Sequence, residues 1–188
     1  MKLDEAIQSR RSIRKFKEKR PDWRDVMECM DAARYAPMAG DIFSLKFLYI
    51  DNEKTISEIA KWAGQDFIAQ SKCVVVFIRT PTKTTLSFKD RGTKYLPQQA
   101  GAAIQNFLLS IEQKGLSTCW IGHMDEEKIK HLLKIPKDKE IEALFPIGYA
   151  KEKPSTRRSR RDFYEMIYFN EWGNEQFGEV KSKRTIEA

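Results

Sequence analysis

The sequence contains little of what several common kinds of functional site require. Only two histidines and three cysteines occur among its 188 residues. His123 and His131 have no cysteine or carboxylate pattern around them, which argues against a zinc site. Cys29, Cys73 and Cys119 are far apart in apolar segments and are expected to be small buried residues in a reducing compartment. The spacing leaves a Cys119–His123 catalytic pair open, but a buried structural cysteine is the favoured interpretation.

Long apolar runs and glycine-rich loops are also missing. No run approaches the roughly 20 residues that a membrane-spanning helix needs, and charges recur throughout the N-terminal region, unlike in a secretory signal. The sequence has no glycine-rich phosphate loop of the dinucleotide-binding or P-loop kind. These absences favour a cytoplasmic protein without a membrane partner, in which side chains must hold any bound phosphate.

The candidate phosphate-binding side chains are arginines. Residues 10–16 place three arginines and one serine within five positions, with Ile13 and Phe16 as apolar anchors. A guanidinium group is a planar fork that matches phosphate oxygens two at a time. A second basic stretch covers residues 151–161. The net charge of +7 leaves two alternatives open, a solvated basic surface and a nucleic-acid patch.

Helix and strand patterns alternate along the chain and predict an α+β domain with four or five strands and helices on the sheet faces. Strands are expected at 46–50, 73–78, 116–121 and 141–147, the last of them broken by Pro146. Helices are expected after Asp22, at 53–63, from about 97 to 114, and at 125–133. Residues 37–44 are predicted to form a loop whose small side chains permit close approach of a ligand. Residues 79–95 are predicted to form a long mobile loop.

The C-terminal part of the chain is rich in aromatic residues, which a neighbouring subunit would cover. These residues are Phe163, Tyr164, Tyr168, Phe169, Trp172 and Phe177. We therefore expect a domain at 1–162 and a C-terminal arm at 163–188 that packs on the partner subunit.

Five motifs in order resemble the FMN-dependent nitroreductase family, and together they extend over almost the whole chain. They are Arg10-Arg11-Ser12-Ile13-Arg14-Lys15-Phe16, Ala32-Ala33-Arg34-Tyr35-Ala36-Pro37-Met38-Ala39-Gly40, Gly101-Ala102-Ala103-Ile104-Gln105-Asn106-Phe107-Leu108-Leu109, Gly115-Leu116-Ser117-Thr118-Cys119-Trp120-Ile121-Gly122, and Pro146-Ile147-Gly148-Tyr149-Ala150 continuing through Lys153-Pro154 to Arg157-Arg158.

The resemblance implies a nitroreductase-like fold, with a central mixed but mostly antiparallel sheet flanked by helices, in an intertwined homodimer. Each of two FMN sites would lie at the subunit interface. Residues 10–12 would contact the phosphate and ribityl chain, Arg14 would lie near the ribityl and pyrimidine part, and Arg157 or Arg158 would close on the phosphate. The 37–41 loop would come from the other subunit, and the backbone at 120–122 would run near the flavin N5. The implied cofactor-binding residues are Arg10, Arg11, Ser12, Arg14, Pro37, Met38, Ala39, Asp41, Gln99, Trp120, Ile121, Gly122, Arg157 and Arg158.

Two positions depart from the family pattern. Asp41 stands where the family commonly has an asparagine, so a carboxylate replaces an amide that can both donate and accept. Gln99 stands where the family often has an acid. Both departures bear on cofactor geometry, flavin potential and substrate preference.

The function that the resemblance implies is hydride transfer from NADH or NADPH through FMN to an electron-poor small molecule, such as a nitroaromatic, quinone or enone, by a ping-pong mechanism. No catalytic side chain is expected, because the flavin carries the chemistry. One alternative is a specialised flavin enzyme of the same fold, for example a reductive dehalogenase. The other is a basic nucleic-acid-binding module, which is disfavoured because the aromatics are not interleaved with the arginines as stacking platforms.

Overall fold

The computed structural model of the protein describes residues 1–152 and 161–176. The chain divides into two units, Met1–Lys153 and Pro154–Ala188. In the second unit the described residues contain a short 3-10 turn, Phe163–Met166, flanked by exposed aromatic side chains. Arg157, Arg158 and the chain from residue 177 onward lie outside the described residues, and the expected arm at 163–188 stays a prediction.

The first unit is built around one sheet of four antiparallel strands. The strands are β1 (Leu45–Ile50), β2 (Cys73–Arg79), β3 (Ser117–Thr118) and β4 (Glu140–Gly148), in the spatial order β1-β2-β4-β3. A single parallel bridge, between Ser12 and Thr118, adds the N-terminal segment to the β3 edge of this sheet. The prediction of an α+β fold with a mixed, mostly antiparallel sheet is therefore confirmed.

Strand β2 lies inside the sheet because its side chains are apolar on both faces. Val75 and Phe77 point into one core cluster, and Val74 and Val76 point into a second cluster on the opposite face. All four are fully buried. A continuous β-branched and aromatic run of this kind indicates a strand covered on both sides, as the sequence predicted.

Helices cover both faces of the sheet. They are α1 (Leu3–Ser9), α2 (Trp23–Ala33), α3 (Glu53–Ala63), α4 (Thr82–Phe88), α5 (Asp90–Gln113) and α6 (Glu126–Leu133). Side chains of α2 and α5 build the first core cluster, and side chains of α3 and α6 build the second. In the part of the chain that the structure describes, no helix is long and apolar enough to cross a bilayer.

Two expectations about secondary structure were wrong. Residues 79–95 were expected to form a long loop, but Arg79 ends β2 and residues 82–95 form α4 and the first turns of α5. They lack an apolar period because the contact between α4 and α5 is made largely by small residues: Thr84 is buried, and a Cβ on Gly92 would lie 2.8 Å from the Thr84 carbonyl oxygen.

Strand β4 continues through Pro146, which was expected to break it. Its pairing on the side away from β2 is interrupted between Leu144, which pairs with Ile121, and Ile147, which pairs with Thr118. A residue without an N–H is tolerated where the ladder has such a gap.

Candidate functional site

The arginine-rich segment is fastened to the β3 edge of the sheet by its backbone. The Ile13 N–H donates to the Thr118 carbonyl at 3.0 Å, and the Lys17 N–H donates to the Tyr149 carbonyl at 2.9 Å. Ile13 and Phe16 are buried, as their role as anchors predicted. Because both anchors point inward, the exposed side chains between them are presented on the outer surface.

The cationic side chains of this segment have different surroundings. The Arg11 guanidinium folds onto the end of α1, where its Nη1 donates to the Gln8 carbonyl at 2.7 Å and to the Arg10 carbonyl at 2.9 Å. Arg14 is exposed, and its guanidinium carbon lies 5.9 Å from the centre of the Phe67 ring. Arg10 is half-buried at the C-terminal end of α1. Arg10 and Arg11 thus lie where α1 ends, whereas Arg14 lies further along the extended segment.

The chain after β3 lies in the same region. Ile121 exchanges two backbone hydrogen bonds with Leu144, at 3.1 and 2.9 Å. This pairing holds Trp120 against the edge of the Phe145 ring, with centroids 5.9 Å apart, while Trp120 stays 42% exposed. The structure therefore places Ser12 and Ile13 beside Thr118, two positions before Trp120. That the two stretches form a single site stays a prediction.

One buried hydroxyl in this region is left without a partner. Thr118 is 3% exposed, and its Oγ1 has no hydrogen-bond partner among the described residues. A buried polar atom without a partner is costly and is uncommon in native structures. The hydroxyl belongs to Thr118, the strand residue that pairs with Ser12.

The 37–41 loop ends in a tight turn. Gly40 and Asp41 both have positive φ angles, +59° and +56°, which close a short 3-10 turn at Ala39–Asp41. Met38 packs against the core, whereas Pro37 and Asp41 are exposed. Asparagine and aspartate tolerate this left-handed backbone better than most residues do, so the departure at position 41 preserves the turn.

Gln99 is buried beneath this loop and uses both ends of its amide within the chain. Its Oε1 accepts from the Ala39 N–H at 3.2 Å, and its Nε2 donates to the Ser44 Oγ. Gln99 is 4% exposed and Ser44 is 1% exposed. The amide therefore fixes the backbone of the loop, and the expectation that Gln99 also contacts the cofactor stays a prediction.

Phe88 is a further side chain at the loop, and the sequence reasoning missed it. A Cβ on Gly40 would lie 2.8 Å from the Phe88 Cζ, so a larger residue at position 40 would require the Phe88 ring to shift. Tyr95 stacks edge-on against Phe88 with centroids 5.3 Å apart. No periodic signal marks either residue, because they belong to two helices that meet at Lys89, whose φ is +49°.

The arginine segment and the 37–41 loop are far apart within one chain. Leu45 is in register with Arg79 and Glu140, whereas Thr118 is in register with Ile147. The seven residue steps along β4 from Glu140 to Ile147 cover about 24 Å, and the three strand spacings from β1 to β3 cover about 14 Å. Leu45 and Thr118 therefore lie roughly 28 Å apart, so the two groups do not form one site within a single chain.

The cysteines do not contribute nucleophiles to the site. All three are buried and form no disulfide. Burial raises the pKa of the Cys73 thiol to about 12, and burial likewise raises the pKa of Cys29. The Cys119 thiol contacts the Trp120 carbonyl at 3.8 Å. Within residues 1–152 and 161–176, Cys119 forms no hydrogen bond with His123, and no group of three metal-ligating side chains occurs.

Comparisons with known proteins point to one family. A model described as "Nitroreductase family" matches residues 7–67 and 57–149. A putative NADH dehydrogenase/NAD(P)H nitroreductase from Methanothermobacter thermautotrophicus is 26% identical over 178 residues, which cover 92% of this chain and 88% of that protein. An iodotyrosine deiodinase from Thermotoga neapolitana is 22% identical over 177 residues, which cover 84% of this chain and 94% of that protein.

Among solved structures, the NADPH:FMN oxidoreductase from Vibrio harveyi, complexed with NAD+, superposes with a TM-score of 0.80. The two chains are 20% identical, and the match covers 90% of this chain and 77% of that one. At this identity the likeness shows the fold.

Proposed function

The chain belongs to the nitroreductase family, and from that premise we propose that it is an FMN-dependent oxidoreductase that uses NADH or NADPH to reduce electron-poor small molecules as a cytoplasmic homodimer. The observation that carries the proposal is the arginine segment, residues 10–16, whose backbone pairs with Thr118, two positions before residues 120–122. The chemistry that FMN supplies when bound is hydride transfer from NAD(P)H to a nitroaromatic, quinone or enone in two half-reactions.

The residues at the end of α1 fit a phosphate group. Arg11 uses one terminal nitrogen on backbone carbonyls, which orients the rest of its guanidinium in a fixed direction. A guanidinium fixed in this way binds a phosphate dianion at a lower entropic cost than a free side chain would. The exposed Ser12 hydroxyl is next to it in sequence and can donate to a phosphate oxygen or accept from a ribityl hydroxyl.

The residues further along the segment fit a ring that gains negative charge on reduction. Arg14 is exposed two positions after Ser12, the residue that pairs with Thr118, and its guanidinium lies 5.9 Å from the centre of the Phe67 ring. A fixed cation near the pyrimidine edge stabilises an anionic reduced ring, and a backbone N–H near N5 orients the hydride acceptor. The unpartnered Thr118 hydroxyl is consistent with a polar ligand at this site.

Two copies of the chain are needed to complete the proposed site. Leu45, which follows the 37–41 loop, and Thr118, which pairs with the arginine segment, are roughly 28 Å apart in one copy. A single cofactor that touches both the loop and the segment would therefore lie between two chains. This separation supports the expected homodimer, in which each loop reaches the cofactor held by the partner's arginines.

The apolar surface of the first unit supports the same assembly. Leu3 and Ile7 are apolar residues of α1, yet they are 58% and 48% exposed in the single chain. A groove of about 370 Å³ extends from Leu3 between α1, α2 and α5, and Tyr35 and Leu109 line it. On α5, a Cβ at Gly101 would meet nothing within 4 Å, so the helix surface at Gly101 is open for close packing by another helix. The exposed Tyr164 and Trp172 would be covered likewise if the 163–188 arm packs on the partner.

The direct test is to purify the protein, record its absorbance spectrum and measure its mass in solution. We expect a flavin spectrum after incubation with FMN, the mass of a dimer, and NAD(P)H consumption with menadione or a nitrofuran as acceptor. A monomer that takes up no FMN would end this proposal.

Reductive dehalogenation is a second candidate, because the deiodinase relative matches this chain over 94% of its own length. Such a reaction would replace iodide on an aromatic ring by hydrogen, with both electrons supplied by NAD(P)H, so one iodide would be released for each NAD(P)H consumed. Parallel assays with 3-iodotyrosine and a nitrofuran separate the two functions: iodide release faster than nitro reduction would favour dehalogenation.

A further inference from the structure

The hairpin formed by α4 and the first turns of α5, residues 82–95, covers one side of the 37–41 loop. Phe88 packs on Gly40, and Tyr95 supports Phe88 from the next helix. The two helices are held tightly together, since a Cβ on Gly92 would lie 2.8 Å from both the Thr84 carbonyl oxygen and the Thr85 Cα. The position of this hairpin relative to the loop is therefore set by packing.

The exposed surface of the hairpin is mostly positively charged. Lys83, Lys89, Arg91 and Lys94 are all exposed, and Asp90 is the only acid among residues 82–95. None of the four cations forms an ion pair with any described residue. Elsewhere in the described chain many cations are paired, for example Arg79 with Glu140 and Glu142, Lys114 with Asp25, and Lys128 with Asp125.

Apolar and aromatic groups lie among these charges. Leu86 is 77% exposed on α4, and Lys89 and Lys94 lie in sequence between Phe88 and Tyr95, two half-buried rings in edge-on contact. An apolar surface ringed by unpaired cations recognises a flat ring with a negatively charged substituent, because the ring packs on the apolar groups and the substituent meets the cations.

Building on the proposed function, in which the 37–41 loop lies at the flavin, we propose that the α4–α5 hairpin selects electron acceptors that carry an anionic group on an aromatic ring, such as a carboxylate. The hairpin holds the loop through Phe88, so its cations lie beside the place where an acceptor enters. They raise the local concentration of anionic acceptors and hold the anionic group after the ring has stacked. The selection acts on the acceptor half of the reaction, without any change in the hydride chemistry.

The experiment compares 4-nitrobenzoate with 4-nitrobenzamide, a neutral acceptor of nearly the same shape. The readout is the ratio of the two acceptor kcat/KM values at low salt and saturating NAD(P)H, which removes differences in the first half-reaction. The variants are Lys89→Gln, Arg91→Gln, Lys94→Gln and the triple combination. Gln at position 89 keeps a non-glycine side chain at the same positive φ, so the backbone strain is matched.

Two control variants separate charge from other effects. Arg91→Lys keeps the charge on the hairpin and should keep the ratio. Lys54→Gln removes an exposed, unpaired cation from α3, which packs on the opposite face of the sheet, and should leave the ratio unchanged. Circular dichroism and flavin content verify that each variant is folded and loaded.

The benzoate-to-benzamide ratio should fall about twofold for each cation removed and about eightfold in the triple variant, within the range measured for exposed charge pairs. High salt should reduce these differences, because it screens exposed charges. The inference is overturned if the triple variant keeps the wild-type ratio, or if Lys54→Gln lowers the ratio as much as the hairpin variants do. In either case, normal flavin content and normal benzamide turnover would leave the proposed function intact. A wild-type protein without flavin would overturn both.

Discussion

The Gln99 amide offers the sharpest test of how this chain holds the 37–41 loop. Replacing Gln99 by leucine keeps most of the volume of the side chain but removes its acceptor and its donor. The Ala39 N–H and the buried Ser44 hydroxyl then lose their partner. A buried polar group left unpaired costs about 1–3 kcal/mol, so we expect Gln99→Leu to lower the free energy of unfolding by roughly 2–4 kcal/mol.

The assay is urea unfolding at one fixed protein concentration, because assembly would make stability concentration-dependent. For a chain of this size, the expected loss corresponds to a fall in Tm of roughly 4–16 °C. Gln98→Leu is the matched control, since Gln98 is the neighbouring residue on α5 and is exposed. It should change the free energy of unfolding by less than about 0.5 kcal/mol.

A double variant tests the reasoning more severely. Ser44→Ala in the Gln99→Leu background removes the hydroxyl that the first substitution left unpaired. The double variant should therefore be more stable than Gln99→Leu alone by about 1–2 kcal/mol, since replacing both partners by apolar groups costs little. The reasoning is refuted if Gln99→Leu is as stable as the Gln98 control, or if the second substitution destabilises further.

Three other predictions concern the cofactor and the helices. Arg10→Ala should weaken FMN binding by about 1.5–3 kcal/mol, the cost of losing a hydrogen bond to a charged group. Lys15→Ala should have little effect, because Lys15 is exposed and the Glu152 carboxylate that it faces is 3.9 Å away. Equal losses of affinity in a flavin titration would show that the phosphate binds elsewhere. Asp41→Asn should raise the flavin reduction potential by roughly 5–20 mV, since an exposed charge acts weakly, and an unchanged or lower potential would show that Asp41 does not face the ring. Gly92→Ala should lower the free energy of unfolding by about 1–3 kcal/mol through overpacking, whereas Gly101→Ala should stabilise the isolated chain by up to about 1 kcal/mol and weaken the dimer, which analytical ultracentrifugation would detect.

The sequence by itself determined the elements whose signals are local. Strand β2 followed from its unbroken apolar run, and α3 followed from a helical period between Glu53 and Ala63. The anchoring of the arginine segment by Ile13 and Phe16 also followed from the local pattern. Apolar residues within a charged stretch are expected to be buried, and both of these are. The order and spacing of the motifs identified the family, which the family model confirmed.

Only the tertiary structure decided how the parts of the site are arranged. Gln99 binds the Ala39 N–H, which is 60 positions away in sequence. Its role could not be predicted from the residue type, because the role of a buried glutamine depends on its hydrogen-bond partners. The α4–α5 hairpin escaped prediction because small residues form its packing and leave no apolar period. The separation of the 37–41 loop from the arginines follows from strand order and register. A sequence pattern reports which face of an element is buried, whereas the fold determines which distant elements those faces meet.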